Sequence, residues 1–294
     1  MKKFSFSRLL KPYALNKVFT PSTVAKLTYV QRKSIEDDLI KNLSIPGLQI
    51  VLYGHSGCGK TTLLMNKLNE KKYLKIKTNC TDETTFNQLI IEVIDKLGVF
   101  YKDDVSVTAG IKISSEYKTK FKIFESSIDY KINSEESEKY KRVVPIQLSI
   151  ERLAEFLGYL NCIWVIEDFH KVKEAEKVKL SQVLKVFMDA ACDYPNVKIV
   201  CIGAVGTARE LIYYDRELAN RVSEMFVPLM SNAELKELVS KGFKLMNIYP
   251  NENDLIDKIV HYSNNLASVC HQLCYDMCYN KNIVKSSFIS KKLH

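Results

Sequence analysis

Gly47-Leu-Gln-Ile-Val-Leu-Tyr53, followed by Gly54-His-Ser-Gly-Cys-Gly59-Lys60-Thr61, is the stretch whose reading decides the fold. Pro46 and Gly47 punctuate its start, and the apolar run that ends at Gly54 reads as a short buried strand. From Thr61 to Glu70, the residues Leu63, Leu64, Met65 and Leu68 recur at helical spacing. Between strand and helix the spacing G-x-x-x-x-G-K-[ST] is matched at every fixed position.

Glycines in such a loop let successive backbone N–H groups curl around a phosphate with no Cβ in the way, and the helix N-terminus adds partial positive charge. Gly54, His55, Ser56, Gly57, Cys58, Gly59, Lys60, Thr61 and Thr62 are therefore the expected phosphate cradle. Lys60 supplies a point charge for the β- and γ-phosphates, and the Thr61 hydroxyl is placed to ligate Mg²⁺. ATP and Mg²⁺ are the expected cofactors.

Outward from this point, Tyr73-Leu-Lys-Ile-Lys reads as a second strand. Asp82 is a candidate N-cap for a helix carrying Phe86, Leu89, Ile90, Val93, Ile94 and Leu97, ending at Gly98. Alternating residues between Val105 and Asn133 suggest one or two β-hairpins, so 102–144 reads as a β-rich insertion. An amphipathic helix over Ile150 to Leu160 then leads into Cys162-Ile-Trp-Val-Ile166, a continuous apolar strand ending in Glu167-Asp168. A strand buried on both faces delivers acids at its carboxyl end, where a nucleotide's metal and attacking water must sit. One acid holds the metal and the other orients or deprotonates the nucleophile; the plain alternative is an acid that caps the next helix.

A helix over Lys177 to Ala191, a buried strand Val197-Lys-Ile-Val-Cys-Ile202 and the strand-like Met225-Phe-Val-Pro-Leu complete an alternation that predicts a parallel α/β sheet. From Ser231 the pattern is helical only, opening with Ser231 and Glu234 in capping-box spacing and continuing near 252–262 and 265–279. The fold class expected is α/β: a P-loop NTPase parallel sheet with a β-hairpin-type insertion and a small α-helical lid.

Over its 294 residues the chain is 46% hydrophobic and 26% charged, which excludes a disordered, collagen-like or small disulfide-framework protein. No stretch approaches the ~20 apolar residues of a membrane span, and the N-terminus lacks the apolar run of a secretory signal. Of the net +9, eight positive charges (Lys2, Lys3, Arg8, Lys11, Lys17, Lys26, Arg32, Lys33) precede the first acid, Glu36. Such an arm suits nucleic-acid phosphates or, more simply, a solvated tail. Eight cysteines lie mostly within apolar runs, as expected of reduced thiols in a cytoplasmic protein. Cys270, Cys274 and Cys278 fall every four residues on one helical face, beside His271, and read as core packing in preference to a zinc site.

With loop, acid-ended strand, further strand and helical lid in this order, the chain resembles the AAA+/STAND class of P-loop ATPases. Its nearest likeness within that class is to origin-recognition and TniB/TnsC-type transposition ATPases and to ATPase modules of mobile elements and phage defence. The resemblance divides the chain into a basic arm (1–18), a core (19–230, with the 102–144 insertion), a lid (231–282) and a tail (283–294). It implies that Tyr29 and Val30 contact the adenine, with Glu167 at the metal-side acid position and Asp168 at the catalytic-base position. It implies too that Arg221 reaches a neighbouring subunit's site, with Arg209 and Arg216 as substitutes. Thr207 is the one polar candidate after the sensor-type strand, and the lid stretch Asn264 to His271 has no arginine, leaving His271 as its one group able to carry positive charge. The function implied is an ATP-binding, slowly hydrolysing, homo-oligomeric switch in mobile-element or anti-phage defence, with an effector protein as partner. Alternatives are an ATPase loaded on duplex DNA through the basic arm, and a scaffold gated by nucleotide without turnover.

Overall fold

The structure, a computed structural model, describes residues 12–97, 149–204, 216–250, 254–287 and 291–293. The 102–144 insertion, Thr207 and Arg209 lie outside the described residues, as does the arm up to residue 11. The chain divides into two compact units, one built from 1–36, 54–66 and 227–294, the other from 37–53 and 67–226. α1 (Leu15–Val18) lies within the first unit, and two helices cross the division: α2 (Lys33–Ser44) and, after the first strand, α3 (Lys60–Glu70).

The second unit holds a five-stranded sheet of β1 (Gln49–Tyr53), β2 (Leu74–Asn79), β3 (Cys162–Glu167), β4 (Lys198–Gly203) and β5 (Val222–Phe226). All pairings are parallel, in the order β2-β3-β4-β1-β5. Ile50, Val51, Leu52 and every residue from Cys162 to Ile166 are buried, as continuous apolar runs require when helices cover both faces. On one face lie α4 (Phe86–Leu97), α5 (Ile150–Tyr159) and α6 (Glu174–Ala190), in one core with Val51, Trp164, Ile166, Ile199 and Cys201. Trp164 anchors this core with its ring 6.1 Å from Phe187, and its indole N–H donates to Thr78 Oγ1 at 2.9 Å, so the one polar atom of a fully buried side chain is satisfied. Lys198, also fully buried, donates to the Ile45 and Leu48 carbonyls, tying the turn before β1 to β4; burial pushes its ammonium down to about 8.

Several expected boundaries move. Thr85, not Asp82, caps α4: its hydroxyl accepts from Gln88 N–H and Gln88 returns the bond to Thr85 N–H, a capping box with glutamine. α6 opens at Glu174, one turn before Lys177. β5 begins at Val222, which pairs with Gln49 of β1, and ends at Phe226, while Pro228, which lacks an N–H, falls in the segment beyond.

The first unit packs α1 against α7 (Asn232–Met246), α8 (Leu255–Tyr262) and α9 (Ala267–Asn280). Ser231 and Glu234 form the expected capping box at α7. The pattern is not helical only, since β6 (Ile248–Pro250) pairs in parallel with β7 (Lys291–Leu293). Leu15, Val18 and Phe19 are buried in this core, so the last residues of the supposed solvated arm are folded; their apolar side chains need cover. Cys270, Cys274 and Cys278 pack into the same core, and burial pushes the Cys278 thiol up to about 12. No helix among the described residues is long and apolar enough to cross a membrane.

Candidate functional site

The phosphate loop leaves the carboxyl end of β1 and enters α3 at Lys60. Gly57 and Gly59 have φ of +79° and +95°, in the left-handed region that suits glycine. Lys60 Nζ donates to the carbonyls of Gly54 and His55, both at 2.8 Å, which folds the ammonium over the loop. His55 and Ser56 are exposed, whereas Cys58 is buried with its thiol donating to Val227 O at 3.4 Å; burial raises it. Thr61 and Thr62 are half-buried in the first turn of α3.

Two glycines of the loop serve a second purpose that the sequence did not suggest. A Cβ on Gly54 would lie 2.4 Å from Val227 O, and one on Gly57 would lie 2.2 Å from Ser268 Oγ. Ser268, in the first turn of α9, also donates its N–H to Gly57 O at 3.2 Å. The two contacting segments are themselves joined, because Met230 N–H donates to Asn265 O and Asn265 Nδ2 donates to Met230 O. Arg32 holds the carbonyls of Pro228 and Leu229 and pairs with Glu234. The loop is therefore clasped by a strap whose carbonyls are pinned one after another.

Of the residues expected to meet the base, Val30 is packed in the core and Tyr29 is half-buried, its hydroxyl donating to Glu36 Oε1 at 2.6 Å. His271 is not a cation: it is buried, its Nδ1 accepts the Thr20 N–H at 3.1 Å, and burial pushes its pKa down to about 4. Among the described residues no cluster of His, Cys, Asp and Glu is arranged to hold a metal by itself.

In the sheet unit, Glu167 ends β3 and Asp168 follows at φ 56°, ψ 31°, a left-handed conformation that aspartate tolerates. Glu167 Oε2 accepts from Lys77 Nζ at 3.0 Å, while Oε1 is buried without a hydrogen-bond partner among the described residues. An orphaned carboxylate oxygen at the end of this strand fits a divalent cation, which prefers oxygen ligands. Asp168 is half-exposed and paired with Lys171 at 2.7 Å, and this carboxylate holds Lys171 above its ordinary pKa. Cys80, whose N–H donates to Glu167 O, is held protonated by burial, near 12. Arg221 stands before β5 as expected, exposed and 3.4 Å from Asp189. Arg216 begins a 3₁₀ turn at Arg216–Asn220.

No protein-family model and no curated protein matches this sequence. Among solved structures the chain is similar to a Walker-type ATPase of Pyrococcus abyssi, at 20% identity and TM-score 0.57, over 87% of this chain and 69% of that one. It is similar also to the ORC2 protein of Aeropyrum pernix in its ADP form (13%, TM-score 0.55, 95% and 70%) and to Cdc6p of Pyrobaculum aerophilum (14%, TM-score 0.53, 91% and 66%). The chain has the fold of AAA+ P-loop ATPases. It spans about two thirds of the length of those chains.

Proposed function

We propose that the chain binds Mg·ATP and hydrolyses it slowly as a homo-oligomeric switch. The observation that carries this reading is the loop Gly54–Thr61 at the head of α3, with left-handed glycines and the Lys60 ammonium folded onto it. In this reading Lys60 receives the β- and γ-phosphates, Thr61 and Glu167 hold Mg²⁺, and Asp168 orients the attacking water. Mg²⁺ would neutralise phosphate charge as it builds. Tyr29 and Val30 flank the base, and Arg221 serves a neighbouring subunit.

Topology supports the placement of these roles. The connections from β1 and β4 depart toward opposite sides of the sheet, and the crevice at such a switch point is where open α/β sheets take ligands. Lys60→Ala is expected to abolish ATP binding with the circular dichroism spectrum and melting temperature unchanged; undiminished affinity overturns the reading. Turnover per subunit that rises steeply with protein concentration is expected if Arg221 acts in trans.

A nucleotide-gated scaffold without turnover is favoured by one observation, the left-handed Asp168 tied to Lys171. Tight ATP binding with no phosphate release at any concentration would select it. A defence or mobile-element setting and an effector partner are drawn from the sequence resemblance alone.

A further inference from the structure

Asp82 is an acid that the fold does not use. Thr85 caps α4 in its place, and Asp82 has no hydrogen bond or ion pair among the described residues. Its position is fixed nonetheless. Cys80 N–H donates to Glu167 O at 2.9 Å, which carries the pairing of β2 with β3 one residue further. Thr81 and Thr84 then close a turn: Thr84 N–H donates to Thr81 O, and Thr81 N–H donates to Thr84 Oγ1. Asp82 is exposed within that turn, beside the acid-bearing end of β3.

At the same end of the sheet, Lys171 Nζ donates to Asp168 Oδ2 at 2.7 Å. Asp168 holds this ammonium above its ordinary pKa and Asp82 adds to the effect, so two carboxylates act on one lysine. The backbone of Lys171 is held in place, since Phe169 is wholly buried and Lys171 N–H donates to Asp168 O at 2.9 Å. Movement is left to the flexible four-carbon stem. Both side chains of the pair are about half exposed (48% and 49%), and pairs so exposed contribute little to stability and are easily exchanged. The contact matters instead for what Asp168 can do, because an oxygen that accepts an ammonium is not open to the proton of a water.

We propose that Lys171 is a two-position latch: it holds Asp168 in the resting chain and passes to Asp82 when Asp168 turns to the attacking water. The inference rests on the assignment of Asp168 as the residue that orients this water. Lys171 and Asp82 are then positioning residues, which act through Asp168 and touch no substrate.

Phosphate release by the full chain under saturating Mg·ATP reads the latch. Lys171→Met should raise kcat about two- to fivefold with KM for ATP unchanged, and Asp82→Asn should lower kcat about twofold by leaving the lysine no second acceptor. The double variant should turn over like Lys171→Met alone, because without the lysine Asp82 has nothing to receive. Lys173→Met removes an equal charge from the same exposed segment and should leave the rate unchanged. At about 1 M salt, where exposed pairs are screened, the gain in Lys171→Met should vanish. A second readout needs no turnover. In urea denaturation, the coupling between Lys171→Met and Asp82→Asn should be larger in an Asp168→Asn background than in the wild type, since the lysine then has a single carboxylate to meet. Lys171→Met no faster than the wild type, or a coupling to Asp82 that does not grow, overturns the latch and leaves the Mg·ATP reading standing. Undiminished turnover in Asp168→Asn overturns the latch together with the role given to Asp168, and turnover absent from every variant overturns the latch and the hydrolytic reading alike.

Discussion

Lys77 Nζ and Glu167 Oε2 are 3.0 Å apart, and this one contact is the only hydrogen bond to the carboxylate among the described residues, since Oε1 is buried without one. Removing the ammonium leaves a largely buried charge unpaired, a loss of about 1–3 kcal/mol. Lys77→Met should therefore lower the urea midpoint, and Mg²⁺ should raise it more in the variant than in the wild type. In a double-mutant cycle with Glu167→Gln the coupling should be about 1 kcal/mol. Strict additivity would mean that the pair does nothing.

Gly57 and Gly59 separate two reasons for a glycine in the loop. Both have positive φ, but a Cβ at Gly59 meets nothing within 4 Å whereas one at Gly57 strikes Ser268 Oγ at 2.2 Å. Gly59→Ala should cost about 1–2 kcal/mol of backbone strain. Gly57→Ala should cost clearly more and displace α9, and Ser268→Gly in the same chain should recover the excess but not the strain. Thermal denaturation of the three variants checks the order; equal costs at the two glycines would remove the clasp from the account.

Where a signal is confined to one run of residues, the sequence was readable. The apolar run of β1 into Gly54–Thr61, the apolar run of β3 into Glu167-Asp168, and Ser231 with Glu234 all lie within a few residues of one another. Lys77 was not readable as the partner of Glu167, because the pair is 90 residues apart and depends on β2 lying beside β3. The strap from Val227 to Ser268 depends likewise on tertiary contact, and Ser268 had no local feature to mark it. β6 and β7 were missed because strands of three residues, 43 positions apart in register, carry no periodicity. His271 was legible as the one group of its stretch able to carry positive charge, but its burial against the Thr20 N–H was not, because a sequence does not announce burial.

Asp168 combines a backbone requirement with a chemical one, and substitutions can part them. Asparagine tolerates φ 56° as aspartate does, so Asp168→Asn should fold normally and bind ATP while turnover falls about 10²–10⁴-fold with loss of the base. Asp168→Ala should fall as far and in addition lose stability, because alanine lacks the short polar side chain that eases the left-handed conformation. Phosphate release under saturating ATP, read beside melting curves, checks both. Undiminished turnover in Asp168→Asn would remove it from the base position.

His271 gives the fold a defined acid limit. Its Nδ1 accepts a hydrogen bond from Thr20, so protonation would set a donor against a donor in a buried site. The folded pKa near 4 lies below the unfolded value of about 6.5. The unfolded chain thus binds the extra proton first, and stability rises with pH between the two values. The contribution, ~3 kcal/mol, is complete above about pH 6.5 and is lost as pH falls toward 4. Urea midpoints measured across that window should drop in the wild type and drop less in His271→Gln, whose amide keeps an acceptor that does not titrate. Parallel slopes in the two proteins would place the acid sensitivity elsewhere in the chain.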